Sequence, residues 1–131
     1  MKVPMIKYFL KKLKKLLKKN RFQIYRTDKN IDTYRKLRRD LAITYDDFEN
    51  EIKDVSQKLD INNYCEGPKK DIKKYRGNIF WVFGVVIFNK EIFNKEIYLK
   101  FTLEEKEDEK IICWSCHSPK DTLKYPYRGR S

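Results

Sequence analysis

Apolar residues in the first twenty positions recur at helical spacing. Ile6, Phe9, Leu10, Leu13, Leu16 and Leu17 form one stripe, which predicts an amphipathic helix over residues 4–19. Pro4 suits its first turn and Asn20 its end. Phe22–Arg26 reads as a short strand. A second helix is predicted over 31–41, where Ile31, Tyr34, Leu37 and Leu41 share a face and Asp28 or Asn30 is the candidate cap. Thr44 predicts the start of a third helix: Asp46 and Asp47 favour its dipole, and Phe48, Ile52, Val55 and Leu59 form its stripe. Residues 60–77, punctuated by Asn62, Asn63, Gly67, Pro68 and Gly77, read as a lysine-rich loop.

From Ile79 the period changes to that of strands. Ile79–Phe88 is nearly continuous in apolar residues, as in a strand covered on both faces. Ile97–Leu103 alternates, and Ile111–His117 follows the charged turn Glu104–Lys110. The sequence FNKEI occurs twice, at Phe88–Ile92 and Phe93–Ile97. A five-residue offset reverses every side chain, so the two copies cannot occupy equivalent strand positions, and one is expected in a hairpin connection. A basic tail over 118–131 carries two prolines and ends near Arg128 and Arg130. Helices first and strands later predict an α+β domain spanning 1–131, an antiparallel sheet packed with N-terminal helices.

Strand parity brings candidate chemistry together. Ile97, Leu99, Phe101 and Leu103 point one way; Tyr98, Lys100 and Thr102 point the other. In the following strand Ile112, Trp114 and Cys116 oppose Cys113, Ser115 and His117. Burial favours the antiparallel register that groups Trp114 with Leu99 and Phe101. That register sets Tyr98 beside His117, and Lys100 beside Ser115, on the opposite face. A polar face turned to water is the structural alternative. The functional one is RNA cleavage, in which a base removes the 2′-OH proton, cations stabilise the phosphorane and an acid protonates the leaving oxygen. Histidine suits base or acid; here Tyr98 orients the 2′-OH or donates a proton, and Lys100 holds the phosphate.

Charge adds a partner class. In 131 residues, 31 Lys+Arg against 19 Asp+Glu give +12, as expected of a protein meeting a polyanion, unless lysine-rich composition alone accounts for it. Residues 1–20 form a basic amphipathic segment with eight lysines and no acid. No stretch has the length of a membrane span, residues 1–20 do not pattern as a signal peptide, and three cysteines make no disulfide framework, so a cytoplasmic location is expected. Lys11, Lys14, Lys15, Lys18, Lys69, Lys70 and Arg128 are the candidate RNA-binding cations; Tyr64, Tyr75, Tyr125 and Tyr127 are candidate stacking platforms. The first helix reads as an RNA-facing element, a membrane-surface helix or a solvated structural one.

Several segments, in order, resemble the MqsR family of toxin–antitoxin ribonucleases: RTDKN at Arg26–Asn30 with Thr33, LAITYDD at Leu41–Asp47, YCEGPKKD at Tyr64–Asp71, WVFG at Trp81–Gly84, EIYLK at Glu96–Lys100, SCH at Ser115–His117 and YPY at Tyr125–Tyr127. The resemblance implies a RelE-like fold, metal-independent mRNA cleavage without a cofactor, and neutralisation by a cognate antitoxin. It implies an active-site role for Tyr98 and places His117 where the family has a catalytic lysine. A family lysine after Tyr64 is Cys65 here, and a glutamine after Trp81 is Val82. The candidate catalytic set is Tyr98, Lys100, His117, Ser115 and Tyr64. A binding module without catalysis is the alternative.

Cys113–His117 also spells CxxCH. Haem attachment wants a secreted chain and a loop before a helix, and a thioredoxin-like pair wants a helix N-terminus; neither context is apparent. Zinc held by Cys65, Cys113, Cys116 and His117 is opposed by strand alternation, which sends Cys113 and Cys116 to opposite faces. Buried thiols acting as small hydrophobes are the default expectation, with no metal.

Overall fold

A computed structural model describes residues 2–70, 78–88, 96–105 and 108–129. Helix α1 (Lys2–Lys18) leads to a short strand β1 (Phe22–Ile24), then helices α2 (Asp28–Leu41) and α3 (Tyr45–Gln57). A 3-10 turn at Ile61–Asn63 precedes strands β2 (Tyr64–Lys70), β3 (Ile79–Val86), β4 (Glu96–Glu104) and β5 (Lys110–His117). The five strands form one sheet in the order β1-β5-β4-β3-β2. The fold is α+β, as the element order predicts. The sheet is mixed rather than antiparallel, because β1 leaves α1 along the sheet edge and runs parallel to β5.

The apolar stripe of α1 lies against one sheet face. Ile6, Phe9, Leu10, Leu13 and Leu16 are buried, each contributing about 1.5–3 kcal/mol of burial. Phe9 stacks on Trp81 and lies parallel to Phe83, with ring centroids 4.7 and 6.1 Å away. Trp81, Phe83, Leu99 and Phe101 therefore belong to the core face, and the alternate residues Val82, Tyr98 and Lys100 to the other. The long apolar run in β3 has its physical reason here: residues 80–85 are buried on both sides of the sheet.

Two expectations change at the chain level. The cap of α2 is Thr27, whose hydroxyl accepts from the Asn30 amide. Asn30 instead joins Thr33 and Leu37 on the buried face, while Tyr34 and Leu41 pack at its margin. Tyr64–Lys70 is also an edge strand, not loop. Its pairing with β3 shifts register twice, which explains why YCEGPKK shows no alternation and tolerates a proline. Gly67, at φ 118°, is a position where a Cβ would lie 2.7 Å from the Phe80 carbonyl oxygen.

Thr44 begins α3 as predicted, with a reciprocal capping box to Asp47. Phe48, Ile52 and Leu59 are buried and Val55 is half-buried. Most of the FNKEI repeat, the tyrosine at 75 and Arg130 lie outside the described residues. Among the described residues no helix is long and apolar enough to cross a membrane.

Candidate functional site

The face of the sheet opposite α1 carries a cavity of ≈ 790 Å³. Its floor is supplied by four adjacent strands: Cys65 and Glu66 from β2, Val82 from β3, Tyr98 and Lys100 from β4, and Trp114, Ser115 and His117 from β5. The start of α2, Thr27–Lys29, forms one wall, and the segment Pro119–Lys124 forms another. Val82 pairs with Lys100, Lys100 with Ser115, and Tyr98 with His117. The register expected for Tyr98, Lys100, Ser115 and His117 is thus observed, and all four reach one space.

Burial of Trp114 on the core face is not what sets that register. Trp114 does not join Leu99 and Phe101. A β-bulge between Lys100 and Phe101 makes Trp114 the extra residue, so Leu99 pairs with Cys116 and Phe101 with Cys113. Trp114 turns to the cavity side, donates from Nε1 to the Thr102 hydroxyl at 2.7 Å, and meets Tyr25 edge-on at 4.3 Å. Cys113 and Cys116 consequently share the core face, contrary to simple alternation, and both are wholly buried. Burial, with Cys116 beside it, pushes the Cys113 thiol up. Among the described residues no cluster of three or more His, Cys, Asp or Glu side chains is placed to hold a metal.

Local contacts orient the polar groups. The Tyr98 and His117 rings stack with centroids 5.5 Å apart. His117 Nδ1 lies 2.9 Å from the Ser118 carbonyl oxygen. A carbonyl only accepts, so Nδ1 carries a proton and, in the neutral ring, Nε2 carries the lone pair. Lys100 Nζ sits 4.2 Å above the centroid of the Phe80 ring, anchored at the cavity floor by a cation–π contact.

Asn30 fixes the strand that carries Trp114, Ser115 and His117. Its Nδ2 donates to the carbonyls of Tyr25 (2.8 Å) and Trp114 (3.1 Å), and its Oδ1 accepts from the Cys116 amide at 2.8 Å. Thr33 adds a bond from the Ser118 amide to its hydroxyl. Sequence reasoning missed Asn30 as a positioning residue and Trp114 as a lining residue. The available signal was that Asn30, Thr33 and Leu37 recur at helical spacing.

The tail wall is seated by Gly84. A Cβ there would lie 2.7 Å from Leu123 Cδ1 and from Tyr125 Cζ. The Tyr125 hydroxyl donates to the Glu96 carboxylate, and burial together with that carboxylate raises its pKa. Arg128, expected to meet RNA, lies with its guanidinium 3.5 Å from the Tyr125 ring centroid.

Other expected site residues lie elsewhere. Tyr64 is in the core, its ring against Phe83 and Tyr127 and its hydroxyl donating to the Gly67 carbonyl, with burial raising its pKa. It does not line the cavity. Lys69 pairs with Glu66 at 3.6 Å, and Lys70 ends β2 opposite Ile79. Lys11, Lys14, Lys15 and Lys18 belong to α1, across the sheet. Within the cavity, Lys29, Lys100, Lys120 and Lys124 face Asp28, Glu66 and Asp121, so its charge is mixed and the surplus of lysine lies outside it. Cys65, in the cavity floor, has its thiol pushed up to about 12 by burial and by the nearby Glu66 and Glu96.

Comparison of this chain with protein-family models, with curated protein sequences and with solved structures finds no match.

Proposed function

We propose that this cavity binds single-stranded RNA and cleaves its phosphodiester backbone by proton transfer, in the manner of the MqsR-like, RelE-fold mRNA interferases that the sequence resembles. The observation that carries the reading is a convergence. The four positions singled out by that resemblance, Cys65, Val82, Tyr98 and His117, are scattered over fifty residues of chain, and all line one cavity. Lys100 and Ser115 lie among them, supplying a cation and a hydroxyl. A cognate antitoxin, which would neutralise the enzyme, belongs to the same proposal.

In the step proposed, His117 Nε2 takes the proton of a ribose 2′-OH as its oxygen attacks phosphorus. Lys100 stabilises the negative charge that develops on the phosphoryl oxygens. The bond to the 5′ oxygen breaks, and a protonated group, for which Tyr98 is the candidate, donates to it. The products are a 2′,3′-cyclic phosphate and a 5′-hydroxyl. Neither a redox change nor a co-reactant is required.

The test is cleavage of a fluorescent oligoribonucleotide in EDTA, with the termini of the products identified. Expected are cyclic phosphate ends and a loss of 10²–10⁴-fold in rate on His117→Ala, the range for a lost general base or acid, with an unchanged circular dichroism spectrum. Cleavage that survives His117→Ala would sink the assignment. One observation favours a second reading, an RNA-binding module without catalysis. Val82 offers no polar group, and the Cys65 thiol is held protonated, so two positions where the family is expected to present polar side chains are chemically quiet. Binding of the oligonucleotide without any cut is its signature.

A further inference from the structure

We infer that the outer face of α1 is a second RNA-binding surface, for the sugar–phosphate backbone flanking the segment in the cavity, on the opposite side of the sheet. The ligand class rests on the function proposed above; the separation of the two surfaces rests on geometry. Phe9 stacks on Trp81, a core-face residue, whereas the cavity is built on residues of the other parity. The lysines of α1 therefore point away from the cavity and cannot reach a phosphate held there.

What the outer face presents is suited to a phosphate backbone. Lys7, Lys11, Lys15 and Lys18 are exposed. Successive members of the first three are four residues apart, a rise of about 6 Å, comparable to the separation of neighbouring phosphates along a strand. At the C-terminal end of the helix a second cavity of ≈ 260 Å³ brings Lys12, Lys15, Lys19 and Arg21 together with Asp108 and Glu109. Lys12 is paired with Glu109 at 2.9 Å and Arg21 with Asp108 at 3.6 Å, while Lys15 and Lys19 make no salt bridge among the described residues. Two cations thus remain over this hollow to meet an anion.

The alternative polyanion is an anionic membrane. Binding there requires an apolar face to enter the lipid, and in α1 that stripe is spent on the core. The exposed large apolar residues of the helix are Met5 and Tyr8. Tyr8, beside Lys11 and Lys12, is better suited to stacking on an unpaired base.

The test compares the intact protein with the variant Lys7→Gln/Lys11→Gln/Lys15→Gln/Lys18→Gln. Binding of a 30-nucleotide RNA and of a hexanucleotide, both 2′-O-methylated so that neither can be cut, is followed by fluorescence anisotropy across a salt series, with phosphatidylserine vesicles alongside. Neutralising four phosphate contacts lowers the slope of log affinity against log salt by about 2.8. Doubling the salt then weakens the parent about sevenfold more than the variant on the long RNA, while hexanucleotide binding is unchanged. The double variant Lys11→Gln/Lys15→Gln gives about half the slope change and guards against a folding defect. Long-RNA binding that ignores the substitutions overturns the inference, as does an equal loss on both RNAs. Vesicle binding that disappears in the variant while RNA binding persists assigns the face to lipid and also overturns it. The assay does not use cleavage, so an inactive protein would count against the function proposed above and leave this result standing.

Discussion

Replacing Asn30 by alanine isolates what one buried amide contributes to this architecture. Asn30 is wholly buried, and its side chain makes three hydrogen bonds to the backbone of Tyr25, Trp114 and Cys116. Removing it strands one buried amide and two part-buried carbonyls. Each orphaned buried group costs about 1–3 kcal/mol, with carbonyls toward the lower end. The better helix propensity of alanine returns about 0.5 kcal/mol. A net loss of about 3–4 kcal/mol follows.

For 131 residues the unfolding entropy is about 0.28 kcal/mol/K, so the melting temperature falls by roughly 11–14 °C. Asn30→Asp sharpens the test. The carboxylate keeps the acceptor for Cys116 but turns an oxygen toward two carbonyls, so at neutral pH it should cost more than alanine. Burial and those carbonyls raise the pKa of the introduced carboxyl, so the folded state takes up a proton and part of the loss returns as pH falls toward 4. Calorimetry and urea unfolding of both variants between pH 4 and 8 provide the measurement. A loss under 1 kcal/mol in Asn30→Ala, or an aspartate variant whose stability tracks the parent across pH, would refute the clamp.

Gly84→Val places methyl groups where Leu123 and Tyr125 now sit. It should lift the tail from the sheet at a cost of about 1–3 kcal/mol, read as several-fold faster tryptic cleavage at Lys120 or Lys124; unchanged kinetics would contradict the seating. The Cys65 thiol, raised to about 12, should react with iodoacetamide at pH 8 at least about a hundredfold more slowly than a free thiol. Labelling at the rate of glutathione would show the cavity floor to be open there. Because the folded pKa lies above that of the unfolded chain, this thiol's contribution is intact below about pH 9 and is lost as pH rises toward 12. Tyr45, also raised to about 12 chiefly by burial, acts in the same direction from a starting value of 10. Stability should therefore fall from pH 9 to 11, as urea midpoints would record.

Local pattern was enough for much of this protein. The 3–4 spacing from Ile6 to Leu16 determined which face of α1 is buried, and Thr44 with Asp47 determined where α3 begins, because both signals act within a few residues. Alternation along β4 placed Tyr98 and Lys100 on the same face before any partner was known, since parity is a property of a single strand.

Decisions that depend on a distant neighbour were not encoded locally. The bulge at Trp114 keeps the Tyr98–His117 pairing yet reverses the expected side of Trp114 and brings Cys113 and Cys116 onto one face. Period-two counting cannot anticipate an extra residue whose position is settled by Asn30, more than eighty positions away, and by Thr102 across the strand. β2 was illegible for a related reason: an edge strand held by backbone pairing needs little apolar alternation. Likewise only the assembled sheet separates the lysines of α1 from the cavity. The sequence counts charges, but the side of the sheet on which they lie is decided by where the helix stripe finds its apolar partners.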